Sequence, residues 1–501
     1  MFTCMLVGIY TFSAILCTIT YRLSPFHPLY AFPGPRTWWI SNLVFSYISF
    51  GGKRHVAIDS LHKIYGPFVR IGPNMLSINT LSATCIYGAQ LNMEKSDMYR
   101  APGHGDTVSL FYKQKTAKIH ADRRRIWSAG FTSAALSHFF PPLERRLWEL
   151  MNCIEKRQLN NKTGTVDISE CICHWSYDFM GEMVFGGCNN IEMMTNGDPE
   201  KLVYGGKMAM VMQDSIGHTS WLMDLVLHLP KSKYLFRLID IGADMIRTRI
   251  QADKDVTMRD LSSYLLEGDA QSGEKLSQAD LELDSAVAVQ GGSDNTAVII
   301  SLAFYFMLVQ PKYYEMLRAE LDGAFSDCTG HLDNTKLANL TFLNAILNET
   351  LRLCTFFFLP RIVPPGGLVL EGNYIPGGTV VAIATHSLHT SPAYFSPAPQ
   401  EFLPERWISG ALGLECSTDK NALMPFSSGP HGCIGKVFAH QEMRLVIARL
   451  VLVYDMKLAE GFDAKSYLQE MVHVFSTTLQ KPLLVNVTRR SGIDLEKTSP
   501  M

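Results

Sequence analysis

The sequence predicts a mainly α-helical chain with small β-sheets. Two long stretches indicate helices: apolar residues recur at three- and four-residue spacing from Val437 to Leu452, and Leu281 to Val309 is largely apolar. A third stretch, Trp175 to Phe185, is predicted to be a packed core helix. The strands are short, because Gly66–Pro73 and Met75–Ile78 form two brief apolar runs around a Gly-Pro turn.

Composition narrows the class of protein. The chain has 501 residues, 47% of them apolar, and a formal charge of -2. This length can bury a large core, and the balanced charge gives no support to nucleic-acid binding. The eleven cysteines are odd in number and scattered, which favours reduced thiols in a cytosolic domain. No nucleotide or flavin fingerprint is evident in the sequence. If the chain carries out a redox reaction, its electrons must therefore come from another protein.

The N-terminus predicts a membrane anchor. Met1 to Tyr21 contains no charged residue and is long enough to cross a bilayer, and Arg22 follows at once. A cleaved signal peptide is the alternative, although a charged first region and a small-residue cleavage site are lacking. Prolines then end the helix. We divide the chain into a transmembrane signal anchor, residues 1–22, a Pro-rich hinge, residues 23–36, and a catalytic domain, residues 37–501.

A basic run precedes Trp127 and follows a Gly- and Pro-rich loop from Ser96 to Tyr112. His120 and Arg124 are four residues apart, so they share one face of a helix. A solvated helix face is the simpler interpretation of such a run. The basic residues are Lys113, Lys115, Lys118, His120, Arg123, Arg124 and Arg125.

The long apolar stretch has a polar interruption from Gly291 to Thr296. A second transmembrane helix is the alternative for this stretch, but an acid such as Asp294 is costly in lipid and tends to be functional there. The hydroxyl of Thr296, two residues after the carboxyl group, offers a proton route. Further along, Val369–Ile375 and Thr379–Ala384 are predicted to form a hairpin.

A cysteine lies in a glycine-rich loop just before the last long helix. The N-terminus of that helix favours a thiolate at Cys433. Gly429, Gly432 and Gly435 let the backbone approach something large and flat, such as an iron porphyrin. A thiolate below haem iron favours cleavage of the O–O bond. For the cysteine alone, a buried free thiol is the more common situation.

The loop resembles the haem-binding loop of the cytochrome P-450 monooxygenases, in particular membrane-anchored eukaryotic members of fungal type. The resemblance covers nearly the whole chain, although the family usually has Arg where His431 stands. The matching residues are Phe426-x-x-Gly429-x-His431-x-Cys433-x-Gly435 and then Phe438-Ala439-x-x-Glu442.

The resemblance implies the cytochrome P-450 fold, with haem b between the long central helix and the cysteine loop. Cys433 would be the metal ligand. Phe426, Gly429 and Gly435 would shape the cofactor-binding loop. The residues expected to hold the haem propionates are His120, Arg124, Arg361 and His431.

Other family positions also match. Glu349 and Arg352 at i,i+3 spacing would alone suggest a surface ion pair, but with Arg406 they match a buried network that supports the haem loop. In the central helix, Asp294 and Thr296 match the family's proton-handling acid and second threonine, whereas Asn295 replaces the usual first threonine.

The implied activity is insertion of one oxygen atom from O2 into a hydrophobic small molecule, such as a terpenoid, another secondary metabolite or a xenobiotic. Electrons would come from NADPH–cytochrome P-450 reductase, with cytochrome b5 as a second candidate donor, docked on the remaining cations of the basic run. The domain would face the cytosol as a single-pass protein of the endoplasmic reticulum membrane. The alternatives are a haem-thiolate isomerase or dehydratase that does not use O2, and a non-catalytic haem or lipid carrier.

Overall fold

The computed structural model describes residues 2–101, 109–114, 116–188, 191–229, 237–252, 259–413 and 416–493. These residues contain twenty α-helices and thirteen β-strands. The helices are α1 (Phe2–Leu23), α2 (Arg36–Ile40), α3 (Asn42–Phe50), α4 (Arg54–Tyr65), α5 (Ala117–Ala129), α6 (Ser133–Ser137), α7 (Phe140–Asn160), α8 (Ile168–Phe185), α9 (Met193–Asn196), α10 (Leu202–Ile216), α11 (Ser220–Leu227), α12 (Arg237–Gln251), α13 (Leu261–Glu267), α14 (Gln278–Val309), α15 (Pro311–Ala324), α16 (Asn334–Asn339), α17 (Thr341–Cys354), α18 (Thr385–His389), α19 (Lys436–Val453) and α20 (Ala464–Gln469). The strands are β1 (Phe68–Gly72), β2 (Met75–Ile78), β3 (Val166–Asp167), β4 (Arg361–Ile362), β5 (Leu368–Leu370), β6 (Asn373–Ile375), β7 (Val380–Ile383), β8 (Phe395–Ser396), β9 (Ser417–Thr418), β10 (Tyr454–Leu458), β11 (Val472–His473), β12 (Thr477–Thr478) and β13 (Leu484–Arg489).

The main core forms around α14. Its apolar side chains pack with those of α7, α8, α17 and α19 into one continuous cluster of buried residues. The helix begins where the Ser277 hydroxyl accepts a hydrogen bond from the Asp280 N–H, a typical N-cap. Every residue from His174 to Phe185 on α8 is buried, so the predicted packed helix is confirmed.

The largest sheet lies beside this helical core and has the strand order β1-β2-β7-β4. β1 and β2 pair antiparallel, as the two short apolar runs predicted. β7 is parallel to β2 and antiparallel to β4. Apolar side chains of these strands pack around Tyr87, whose main chain reaches the cysteine loop.

The predicted hairpin is wrong in its pairing. β5 and β6 form a small hairpin of their own, and its turn consists of Glu371 and Gly372, both with positive φ. Two such residues form the type of turn that matches the twist of paired strands. β7 instead joins the larger sheet, where Val381 to Ile383 are buried. The Pro376-Gly377-Gly378 segment therefore connects two different sheets.

Two helices are long and apolar enough to cross a membrane. α1 has a mean hydropathy of 1.9 and no buried side chain, whereas α14 has a mean hydropathy of 1.4 and is 83% buried inside the protein. The alternative of a second transmembrane helix is therefore wrong for α14, which is a core helix. α1 is a candidate membrane anchor, and the boundaries at residues 22 and 36 stay predictions.

Candidate active site

The cysteine loop is held open by its glycines. Gly429 has a φ of +66° and a Cβ placed there would lie 2.0 Å from the carbonyl oxygen of Tyr87, so only glycine fits. The N–H of Cys433 donates to the carbonyl of Phe426 over 2.9 Å, which closes the loop. Gly435 then leads into α19. The result presents the Cys433 sulfur to a cavity of about 340 Å³.

The surroundings of Cys433 oppose ionisation in the protein alone. Its side chain is accessible from the cavity. Burial raises the pKa of Cys433, although the N–H of Gly435 and the charge of Arg124 act in the opposite direction. The start of α19 thus favours a thiolate, but less strongly than burial opposes it. A metal ion bound to the sulfur would favour the thiolate further, because a metal ion deprotonates a coordinating thiol.

The cavity is mainly apolar. Its wall on α14 contains Gly291, Asn295 and Thr296. A Cβ at Gly291 would meet nothing within 4 Å, so this glycine leaves open space for a guest. The apolar lining includes Leu110, Phe111, Phe131, Ala288, Leu359 and Phe475.

Basic side chains gather at the same cavity. Arg124 donates to the carbonyl of Gly432 over 2.8 Å, and His431 Nδ1 lies 3.0 Å from His120 Nε2. Burial, followed by the nearby charge of Lys95, lowers the pKa of His120 to about 3 and that of His431 to about 2. The two rings are therefore neutral, and one donates its N–H to the other.

Lys95 is the basic residue that the sequence analysis missed. Its Nζ lines the cavity and donates to the carbonyls of Leu110 and Phe111 over 2.9 and 2.6 Å. Burial and then the charges of Arg361 and Arg124 hold the pKa of Lys95 well below its usual value. A single lysine in a loop carries no distinguishing pattern, so only the fold could show that it points inward.

The basic side chains at the cavity fit a haem with two propionates. Arg361 is buried beside Lys95, and its Nε has no hydrogen-bond partner among the described residues. Among the described residues that line the cavity, Glu442 is the single carboxyl group, and burial raises its pKa to about 8. Among the described residues, the lining cations Lys95 and Arg124 thus have no ionised carboxylate partner, and Arg361, which is not itself a lining residue, adds a third cation nearby. A planar guest with two carboxylates would supply the counter-charge.

The structure separates two residues that the sequence analysis grouped. Thr296 lines the cavity, but Asp294 does not. The Asp294 carboxylate lies against α8, where Tyr177 donates its hydroxyl to Oδ1 over 3.0 Å. Burial raises the pKa of Asp294 to about 6, against an opposing influence of Lys207. Asn295, which stands where the family has threonine, also faces the cavity.

Glu349, Arg352 and Arg406 form a buried network. Arg352 binds both oxygens of Glu349, at 2.7 and 2.8 Å, and the Arg406 Nε donates to the same carboxylate over 2.9 Å. His389, which the sequence analysis also missed, extends the network: its Nδ1 lies 3.0 Å from the Arg352 carbonyl and its Nε2 accepts from the N–H of Met424. Met424 directly precedes the cysteine loop.

The basic run does not provide the expected docking surface as a whole. Arg123 is buried and bridges to Asp280 and Asp284 over 2.9 and 3.2 Å. Lys113 pairs with Asp97, and Arg125 with Asp269. Burial removes Arg123 from the expected surface, whereas Lys113 and Arg125 remain partly exposed with their charges offset by ion pairs. Docking of an electron donor at the remaining cations stays a prediction. Lys115 and residues 102–108 of the preceding loop lie outside the described residues.

Comparison with known proteins identifies the family of this chain. A family model described as Cytochrome P450 matches residues 32–486. The chain belongs to the cytochrome P450 family. It is 30% identical to "Cytochrome P450 67" of Uromyces fabae, with 94% of this chain and 88% of the relative covered. It is 31% identical to the cytochrome P450 monooxygenase notG' of Aspergillus versicolor, covering 96% and 86%, and 29% identical to the averantin hydroxylase of Dothistroma septosporum, covering 96% and 90%.

Two of these fungal relatives are named as a monooxygenase and a hydroxylase. Together with the family match and the helical fold, they make this chain a haem-thiolate monooxygenase, an oxidoreductase that uses a haem iron, a redox partner and a small-molecule substrate. The isomerase, dehydratase and carrier alternatives are not favoured.

Proposed function

We propose that the cavity binds haem b with Cys433 as the iron ligand. Arg124, Arg361 and Lys95 would neutralise the propionates. Of the neutral rings of His120 and His431, the one that accepts the hydrogen bond between them keeps its own N–H and would donate it to a propionate. Phe426, Gly429 and Gly435 shape the loop that brings the sulfur into position. The observation that carries this proposal is that one cavity is lined by Cys433, by the cations Lys95 and Arg124, and by Thr296.

Haem bound here would supply activation of dioxygen, so that one oxygen atom is inserted into the substrate. The residues of the chain do the rest. Leu110, Phe111 and Phe475 offer an apolar surface that binds a hydrophobic substrate and excludes water. The Thr296 hydroxyl can both accept and donate a hydrogen bond, so it can pass a proton at the cavity surface, with Asp294 as the acid.

The substrate we propose is a hydrophobic secondary metabolite. Support comes from the apolar lining of the cavity and from the relatives, one of which is named for hydroxylation of averantin. We assign electron supply to NADPH–cytochrome P-450 reductase, with cytochrome b5 as a second donor. Helix α1 would anchor the protein in the endoplasmic reticulum membrane with the catalytic domain in the cytosol.

The carbon monoxide spectrum of the reduced, haem-loaded enzyme tests the ligand. Thiolate ligation gives a strongly red-shifted Soret band, and Cys433→Ala is expected to abolish it. Cys416→Ala is the matched control, because Cys416 is a free cysteine that does not line the cavity. A red-shifted band that survives in Cys433→Ala would overturn the assignment.

Reductase-driven turnover tests the proton-handling role of Thr296. Thr296→Ala is expected to release more hydrogen peroxide per NADPH consumed, because oxygen reduced without timely protons leaves as peroxide. Thr296→Ser keeps the hydroxyl group and serves as the control. Equal peroxide release in wild type and Thr296→Ala would count against this role, and product formation without NADPH and reductase would count against oxygen insertion.

A further inference from the structure

Asp294 lies on the edge of the cavity-facing side of α14. The cavity-lining positions Gly291, Asn295 and Val298 are three or four residues apart and form one stripe. At about 100° per residue, Asp294 stands about 40° from Val298 and 60° from Gly291 around the helix. The backbone thus places Asp294 near the cavity, but its carboxylate is turned towards α8.

The contact between α8 and α14 is tight at this level. Ser176 and Ser293 donate their hydroxyl groups to each other's carbonyl oxygens over 3.2 and 3.3 Å. A Cβ at Gly292 would lie 2.4 Å from the end of the Met180 side chain, so the side chain of α8 packs directly over this glycine. Tyr177, fully buried between them, therefore has a fixed position from which its hydroxyl reaches Asp294.

We propose that Tyr177 is a positioning residue, whose hydroxyl holds the Asp294 carboxyl against α8 until the acid turns to the cavity face of α14. The inference rests on the proposed role of Asp294 as the acid of the reaction. Asp294 Oδ2 has no partner at hydrogen-bond geometry among the described residues, although the side chain of Gln290 lies close enough to influence the carboxyl group. The hydrogen bond from Tyr177 to Oδ1 is therefore the contact that rotation must break.

The charges around Asp294 agree with this role. Burial, together with the neighbouring Asp294, keeps the pKa of Tyr177 well above its usual value, so Tyr177 remains a neutral donor. A hydrogen bond donated to a carboxylate favours its charged form. Loss of the Tyr177 hydroxyl should therefore raise the pKa of Asp294. The groups that face this carboxyl are Tyr177 and Cys173 of α8, Lys207 of α10 and Gln290 of α14, with Asp198 near Tyr177.

Infrared spectroscopy of the haem-loaded, full-length enzyme can follow the protonated Asp294 carboxyl, identified by the band that Asp294→Asn removes. We expect Tyr177→Phe to raise the titration midpoint of this band by about one pH unit, the equivalent of one charge-assisted hydrogen bond. Ser176→Ala is the matched control, because it removes a neighbouring contact between α8 and α14 and should leave the midpoint unchanged.

An unchanged midpoint in Tyr177→Phe would overturn the proposal. If that variant loses its haem, a ring-fluorinated tyrosine at position 177 decides instead, since its hydroxyl is a stronger donor and should lower the midpoint. The pH profile of hydrogen peroxide released per NADPH tests the role of Asp294 as the acid separately from the role of Tyr177. A shifted midpoint with an unshifted profile supports the positioning by Tyr177 and refutes Asp294 as the acid.

Discussion

Replacement of Glu349 by glutamine should release the cysteine loop. The two carboxylate oxygens of Glu349 accept five hydrogen bonds, two of them from Arg352 and one from Arg406. The N–H of Leu403 and the indole N–H of Trp407 donate the other two, over 3.0 and 2.9 Å. All five partners are donors, so an amide NH2 in place of either oxygen faces at least two donors and can bind neither.

The cost follows from burial. The side chains of Glu349, Arg352 and Arg406 are fully buried, so Glu349→Gln leaves two guanidinium groups without a counter-charge. Breaking a buried ion pair in this way costs about 3–5 kcal/mol. That is a large part of the ~5–15 kcal/mol by which a typical domain is stable. This loss of stability should extend to the cysteine loop, because Arg352 is hydrogen-bonded to His389, and the His389 ring accepts from the N–H of Met424.

The assay compares two acid-to-amide changes of the same geometry. Asp244 and Arg247 also form an i,i+3 pair, but the Asp244 side chain is 76% exposed. We expect Asp244→Asn to change the free energy of unfolding by less than about 0.5 kcal/mol. Glu349→Gln should lower the denaturation midpoint strongly and reduce the haem bound per protein. Full haem content with a midpoint equal to that of Asp244→Asn would refute the reasoning.

Two further changes test the cavity. Lys95→Met should speed haem release to a scavenger about 10- to 100-fold through loss of a charge-assisted contact, whereas Lys118→Met, an exposed control on α5, should not. Gly291→Ala should preserve or raise the melting temperature, since its Cβ meets open space and alanine favours a helix by about 1 kcal/mol. Gly292→Ala should lower it, because the new Cβ displaces the buried Met180 side chain, and a Gly292→Ala variant as stable as Gly291→Ala would contradict this reasoning.

The sequence alone predicted those features that depend on residues close together in the chain. Gly429 is required by its own φ of +66°, and the spacing to Cys433 follows from one short loop. Glu349 and Arg352 are three residues apart on one helix, so their contact is also local. Such features are readable because the residues that satisfy them stand close together in the chain.

The orientation of Asp294 could not be read in this way. Its partner Tyr177 lies 117 residues earlier, and nothing in either local sequence indicates that α8 and α14 meet at this level. The same reason explains the basic run, since Arg123 finds Asp284 161 residues away and loses its role as a surface charge. The parallel partner of β7, strand β2, likewise lies far earlier in the chain. Each of these features depends on how separate elements pack together, and the local sequence of one element does not indicate that packing.

The charge of the cavity links cofactor binding to protonation. In the protein alone, burial and the charges of Arg361 and Arg124 depress the pKa of Lys95. Two propionates nearby favour the charged form of Lys95 and raise that pKa again. A group whose pKa is higher in the bound state contributes fully below its pKa in the free state, and the contribution is lost as pH rises through its pKa in the bound state. Haem binding should therefore take up protons and weaken towards alkaline pH, because the side chains that attract the propionates also repel one another.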